Sequence, residues 1–235
     1  MDDRFASPRR LRVENVARRT GVVWLFTMAA DDGSSIADLQ FEPGQVAVLS
    51  IPEFGEAYMA IASPPDQRGT LEFLVKRTGE VGERLCDLGS LATVDLTGLV
   101  GSGFPVDRYA GKDLVFVAAG TAIAPIRAAI GHAVANRSNF GRIVLVHGVR
   151  RPEDFAVDDE IDHWRAAGVD VVLTVTQPGN GWGGRTGRVQ ELLETAVRDT
   201  FEPVAFVCGS PDMMEQTEQT LADLGLAADR IHRNF

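Results

Sequence analysis

The sequence predicts two domains in series: an N-terminal antiparallel β-barrel over residues 1–112 and a doubly wound parallel-sheet α/β domain over residues 113–235. Three observations lead to that reading. Short β-textured runs separated by turn residues fill the first half. Continuous apolar runs alternate with helical segments in the second half. The texture changes across "GSGFPVDRYAGKD" (Gly101–Asp113), a connection bearing glycine and proline. A chain of 235 residues is long enough for two compact domains.

The barrel strands follow in order. "RLRVENVARR" (Arg10–Arg19) and "GVVWLFTMAA" (Gly21–Ala30) alternate apolar with polar residues or are rich in β-branched and aromatic ones, with Thr20-Gly21 as the turn between them. "DDGSS" (Asp31–Ser35) breaks the pattern. "GQVAVLSIP", "AYMAIAS", "TLEFLVKR" and "ATVDLTGLV" complete the set, with a short helix expected near Val81–Leu88. Short strands with turn signals at this spacing predict a small closed or nearly closed barrel.

In the second half, "DLVFVAAG" (Asp113–Gly120) is apolar throughout, as a strand buried on both faces should be. A helix is expected over "TAIAPIRAAIGHAVANR", then strand "RIVLVHGV", helix "EDFAVDDEIDHWRAAG" and strand "VDVVLTVT". Helix "TGRVQELLETAVRD", strand "PVAFVCG", helix "PDMMEQTEQTLADLG" and a short final strand in "DRIHRNF" finish the chain.

Composition limits the partners. The formal net charge is -10, and lysine and arginine form no long run, which argues against nucleic acid or an anionic membrane surface. Two cysteines, Cys86 and Cys208, are too few for a disulfide framework or a cysteine-ligated iron–sulfur cluster. The segment "MDDRFASPRRLRVENV" lacks the apolar stretch of a secretory signal, and no apolar run approaches the roughly 20 residues of a membrane span. A reduced, cytoplasmic protein with no membrane insertion is expected. The histidines show no metal spacing: His132 and His163 read as surface or interface residues, and His147 as a candidate to line a site at its strand end. The acidic run Glu153–Asp162 lacks ordered cation-loop spacing and reads as a solvated face.

Two strand ends are built for close approach of a ligand, because open parallel sheets bind outside the carboxyl ends of their strands. In "VAAGTAIAP" (Val117–Pro125), Gly120 permits a tight turn, Thr121 supplies a hydroxyl and a cap, and Ala122 and Ala124 keep the helix start uncrowded. It lacks a full G-x-G-x-x-G, and an ordinary strand–helix turn has the same pattern. In "FVCGSPDMM" (Phe206–Met214), Cys208-Gly209 ends a strand and Ser210-Pro211 opens a helix as N-cap and first residue. Taken alone, Cys208 reads as a small buried hydrophobe.

Together these motifs resemble the ferredoxin–NADP reductase superfamily over nearly the whole chain, from about Leu11 to Phe235. The resemblance is carried by "PGQ" (Pro43–Gln45), "LVKRTGEVGERL" (Leu74–Leu85), "GSGFPV" (Gly101–Val106), "AAGTAIAPIR", "VHGVRRPEDF", "GWGGRTGRV" and "CGSPDMM", in that order. "MAIASPP", "EFLVK" and the terminal Asn-Phe are similar to a subgroup that includes plant FAD/NAD(P)-binding oxidoreductases first named from fruit.

The resemblance implies an NAD(P)H-dependent, FAD-containing reductase. FAD sits on the barrel, NAD(P)H on the second domain, and electrons go to an unidentified acceptor, such as a redox protein. It places Met59 where a tyrosine stacks on the flavin, Ala60 where a serine bonds near the reactive nitrogen, and Ala57 where an arginine clamps the pyrophosphate. Ile61 and Ala62 would offer backbone groups to the flavin edge. Leu74, Val75 and Lys76 would line the ribityl chain, with Lys76 or Arg77 neutralising phosphate and Gly82 at the usual helix-capping position. On the nucleotide side it places Gly120 and Thr121 at the pyrophosphate, with Ala122 where a second glycine is common, Pro125 among the cofactor-binding residues, and Arg150 (or Arg151) near the adenosine ribose. Cys208 and Gly209 would lie by the nicotinamide, Ser210 and Met213 would also contact the cofactor, and Phe235 would cover the flavin face. The missing arginine, tyrosine and serine favour an alternative, a flavin-less nucleotide sensor or a regulatory or assembly subunit of a redox complex.

Overall fold

The computed structural model describes residues 2–33, 36–51 and 53–234. Phe235, the expected flavin cover, lies outside the described residues.

The first half folds into one antiparallel six-stranded sheet. Its strands are β1 (Asp2–Arg18), β2 (Val23–Ala30), β3 (Val46–Ile51), β4 (Gly55–Ala60), β5 (Leu71–Lys76) and β6 (Thr93–Val100). Their order across the sheet is β4-β3-β6-β1-β2-β5. The seventeen-residue β1 shifts register between Val13 and Asn15 and again between Arg4 and Arg9. Such bulges bend a strand and increase its twist, so the sheet curls. Curling brings the outer strands β4 and β5 near one another, and beyond β4 the Ala62 amide reaches the Glu72 carbonyl at 2.8 Å. The barrel is therefore nearly closed but keeps an opening along β4 and β5. Leu11, Phe26, Met28, Leu49, Phe73 and Leu96 fill its core, with Leu85 from helix α1 (Gly79–Leu88).

The second half is a parallel sheet of β7 (Leu114–Ala119), β8 (Ile143–Val149), β9 (Val169–Val175), β10 (Arg185–Thr186), β11 (Val204–Cys208) and β12 (Ile231–Arg233), in the order β10-β9-β8-β7-β11-β12. Successive residues of β7 feed two different cores. Leu114, Phe116 and Ala118 pack with α2 (Ile123–Ala135) and α3 (Ile161–Ala166), whereas Val115 and Val117 pack with α4 (Leu193–Val197) and α5 (Pro211–Asp223). Burial on both faces explains why β7 and β8 are continuous apolar runs. The chain reverses direction of travel at β7, which makes the carboxyl ends of β7, β8 and β11 the binding edge.

Two expected helices are shorter than their sequence pattern. Residues 153–168 form 3₁₀ turns at Pro152–Asp154 and Asp158–Glu160 before α3, and residues 186–199 form a 3₁₀ turn at Val189–Leu192 before α4. Phe155, Ala156 and Val157 are all buried, and three consecutive residues cannot share one helical face. Thr186 is consumed by β10, and Gly187 turns at φ +116°.

The two halves meet closely. Gly44 sits at φ +71°, and a Cβ there would stand 2.7 Å from the Pro125 Cβ, so the glycine lets this barrel turn lie on α2. Arg127, on the same helix, donates to the Ala62 carbonyl at 2.8 Å and to Glu72 on the barrel at 2.7 Å, and also to Glu160 at 2.7 Å. His132 is buried at this seam between Asp66 and Asp107, with its Nε2 2.8 Å from the latter. It is an interface residue, set between two carboxylates.

Candidate active site

The site is built from three strand ends. After β7, Gly120 turns at φ +59° with open space where a Cβ would be, so backbone approach by a ligand is unobstructed. The residues Gly120–Ala122 then form a 3₁₀ turn, and the N-cap of α2 is Ala122, with no side-chain cap. Thr121 is thus exposed but does not cap the helix as expected, because the inserted turn moves the cap position to Ala122 and the helix start to Ile123. After β8, a Cβ at Gly148 would stand 2.6 Å from Val189, so the glycine allows the Val189–Leu192 turn to close over the strand end. After β11, Ser210 caps α5 by accepting the Met213 amide hydrogen at 3.4 Å, with Pro211 in the first turn, as the sequence predicts.

These ends enclose a cleft of about 480 Å³ lined by Gly120, Gly148, Arg150, Arg188, Ser210 and Met213, among others. Arg150 donates to the amide oxygen of Gln177 at 3.0 Å and Arg188 to that of Gln216 at 3.5 Å. Neither guanidinium has a carboxylate within ion-pair distance among the described residues. The buried Oε1 of Gln190, another lining residue, also lacks a hydrogen-bond partner. Two guanidiniums without a carboxylate partner, a helix N-terminus and open glycine backbone suit a phosphate-rich dinucleotide.

The remaining nucleotide-side candidates lie around this cleft rather than in its lining. Cys208 is half-buried where β11 pairs with β7, and burial pushes its thiol up to about 12 against the opposing Gly209 amide. It is a neutral thiol at physiological pH and no nucleophile. Gly209 leaves room for Met213, whose sulfur would stand 2.4 Å from an added Cβ. Ala122 is half-buried at the end of the turn. Pro125 is buried against Gly44 and serves the seam between domains, not the cleft. The Arg151 amide is bonded to Asp154 at 3.0 Å and its side chain does not line the cleft. His147, expected to line the site, is fully buried beneath it.

On the barrel side, Ala57 and Met59 pair with Leu49 and Ala47 and turn toward the barrel core, whereas Tyr58, 57% exposed, lies on the opposite face. Ala60 packs there with Val46, Val48 and Val100. Ile61 and Ala62 are fully buried, and their amide hydrogens go to the Gln45 and Glu72 carbonyls at 2.9 and 2.8 Å. Those two donors are therefore used within the protein. The outer backbone edges of β4 and β5 have no partner strand among the described residues, and they flank the opening in the barrel. Val75 is buried in the barrel core, and Leu74 points outward to pack against the α/β core that also contacts Cys208.

The basic candidates differ. Lys76 is exposed, and Arg77 is paired with Asp87. Gly82 lies inside the first turns of α1 rather than at its cap, which is Thr78, and a Cβ at Gly82 would stand 2.7 Å from the Lys76 carbonyl. The glycine is therefore needed for α1 to pack on the end of β5. A flavin fits the open backbone edges of β4 and β5, with fewer side-chain contacts than an arginine, tyrosine and serine would give.

Arg188, Gln190, Gln216 and Thr176 also line the cleft but carry no strand-end pattern in the sequence. The available signal was "GWGGRTGRV", whose Gly187-Arg188 brings the guanidinium to the cleft. Among the described residues no three His, Cys, Asp or Glu side chains gather as metal ligands, and no helix is long and apolar enough to cross a membrane.

Comparison with known proteins points to the same chemistry. Residues 116–219 match the family model of the oxidoreductase NAD-binding domain. The chain is 30% identical over 226 residues to the sulfhydrogenase 1 subunit gamma of Pyrococcus furiosus, covering 94% of this chain and 77% of that one. It is 27% identical to reductase component 1 of terephthalate 1,2-dioxygenase from Comamonas sp, covering 97% of this chain and 70% of the relative. The structure overlays on a ferredoxin NADP+ reductase from Neisseria gonorrhoeae, solved with FAD and NADP bound, with TM-score 0.80 and 23% identity over 98% of this chain and all of that one.

Proposed function

The chain belongs to the ferredoxin–NADP reductase superfamily, and from that premise we propose that it is the reductase component of an electron-transfer system. In this reading NAD(P)H binds in the cleft of the parallel sheet, FAD binds along the β4–β5 opening, and a separate redox protein or subunit is the acceptor. One observation carries it. Leu74 of β5 and Cys208 of β11 pack against the same apolar cluster, so the flavin-side and nicotinamide-side segments meet at the seam between domains.

The residues divide the work. Arg150, Arg188 and the N-terminus of α5 hold phosphate and ribose, and the open backbone at Gly120 admits the pyrophosphate. Cys208, held neutral, supplies a small uncharged wall against the nicotinamide and cannot form an adduct with it. Leu74, packed against the α/β core beside Cys208, helps to exclude water from the seam where the reacting faces meet. When bound, FAD supplies the chemistry of accepting a hydride and giving up electrons singly or in pairs. The acidic chain suits a basic acceptor surface, since opposite charge steers encounter. The gamma subunit and the dioxygenase reductase component among its relatives are each named as parts of multi-component enzymes, which supports a partner of that kind.

A second reading, a nucleotide-binding subunit without flavin, is favoured by Ala57, Met59 and Ala60 and by the engaged amides of Ile61 and Ala62. Titration of the purified, flavin-stripped protein with FAD separates the two. Stoichiometric uptake with quenched flavin fluorescence supports the reductase. Absence of uptake alongside retained binding of NAD(P)H supports the flavin-less subunit.

A further inference from the structure

With Ala57 in place of an arginine, β4 carries no cation to face a pyrophosphate, and the two basic residues at the end of β5 do not replace it. Arg77 is committed to Asp87, and Lys76 projects into solvent from the end of its strand. Arg84 differs from both. It lies on α1, which packs beside β4 and β5, and its guanidinium sits over the ring of Phe54, 4.6 Å from the centroid. Phe54 immediately precedes β4, so the stacked guanidinium lies at the start of that strand.

A ring contact of this kind engages the π face of the cation and does not use up its N–H donors, which remain able to bind phosphate. In Arg84 those donors are unspent. Its buried Nε has no hydrogen-bond partner, and no carboxylate lies within ion-pair distance of it among the described residues. A buried guanidinium donor without a partner is costly unless something else supplies an acceptor.

We infer that Arg84 binds the pyrophosphate of FAD and takes over the role of the absent arginine at position 57. The cation comes from the helix instead of the strand, and the Phe54 ring holds it in place. This rests on the flavin reading of the function. It assigns Arg84 to binding and orienting the dinucleotide, with no part in hydride transfer itself.

The test is equilibrium binding of FAD and of riboflavin, which has the same ring system but no phosphate, followed by flavin fluorescence. The native protein, Arg84→Ala, Arg84→Lys and Arg77→Ala are compared. Arg84→Ala should weaken FAD binding by about tenfold or more while leaving riboflavin binding within about twofold of native, since only the phosphate contact is lost. Arg84→Lys should recover part of the loss, because it keeps the charge but not the fork. Equal FAD affinity in native and Arg84→Ala proteins would overturn the inference and leave the flavin reading intact. A parallel loss for riboflavin would also overturn it, by showing a packing role. A larger loss in Arg77→Ala would transfer the role to that residue. Failure of the native protein to bind FAD at all would contradict the proposed function itself.

Discussion

His147 Nε2 donates to the carbonyl oxygen of Gly120 across 3.1 Å, joining the end of β8 to the turn after β7 from beneath. A carbonyl can only accept, so the proton must sit on Nε2, and Nδ1 is left as a buried acceptor without a partner. Burial pushes the pKa down to about 4 and outweighs the bond to Gly120, which acts the other way. The imidazole is therefore a neutral strut under the open turn at Gly120.

That strut has an acid signature. The unfolded chain binds a proton at the ordinary histidine value of 6.5 and the folded chain only near 4. Between those values acid favours unfolding, by up to about 3 kcal/mol once both are passed. His147→Gln keeps a donor for Gly120 and does not titrate, so its stability should fall less between pH 6.5 and 4 than that of the native protein. His132 works in the opposite sense. Burial alone would lower its pKa, but hydrogen bonds to Asp107 and Asp66 raise it, so its contribution is present below 6.5 and is lost as the pH rises through the raised value. His132→Asn should therefore cost most stability at mildly acid pH. Urea denaturation of the three proteins across this range measures both effects. Parallel profiles would contradict them.

Arg127 ties the barrel to the α/β half through Glu72, the Ala62 carbonyl and Glu160. Burial raises the Glu160 pKa, and the nearby Arg127 offsets part of that cost. Arg127→Met keeps the stem but strands two half-buried carboxylates, and should cost roughly 2–4 kcal/mol. Thermal and urea unfolding should show a lower midpoint and a less cooperative transition. An unchanged midpoint would mean that the halves are held by apolar contact alone.

The two cleft arginines should separate by ligand. Arg150 follows β8, where the adenosine ribose is expected, and its substitution by alanine should weaken NADPH more than NADH, by about 1.5–3 kcal/mol. Arg188→Ala should weaken both dinucleotides alike, as loss of a contact to their shared phosphates would. Calorimetric titration gives both affinities. Equal losses for the two nucleotides in Arg150→Ala would remove Arg150 from 2′-phosphate recognition.

Features governed by local chemistry were legible in the sequence. Ser210-Pro211 as cap and first residue, Gly120 as an open turn, and the apolar runs of β7 and β8 each follow from a few adjacent residues. Thr121 failed as a cap because a 3₁₀ turn precedes α2; the helix after β8 shrank because Phe155, Ala156 and Val157 are buried in succession, and the one after β9 because β10 takes Thr186 and the chain turns at Gly187. Arg188, Arg127 and the support given by His147 depend on segments brought together from distant parts of the chain, and no periodicity announces such meetings. Arg84 was hidden for the same reason. Its meaning comes from Phe54, thirty residues earlier, and from the alanine on the neighbouring strand.

The central claim is that one chain holds both dinucleotides so that hydride passes between them. Anaerobic addition of NADPH or NADH to the FAD-loaded protein, followed through the visible flavin bands in a stopped-flow instrument, measures this most directly. The bands should bleach in a single fast phase with one of the two nucleotides, and Arg188→Ala should slow that phase at low nucleotide concentration. A protein that holds FAD yet keeps its flavin bands with both nucleotides would contradict the claim.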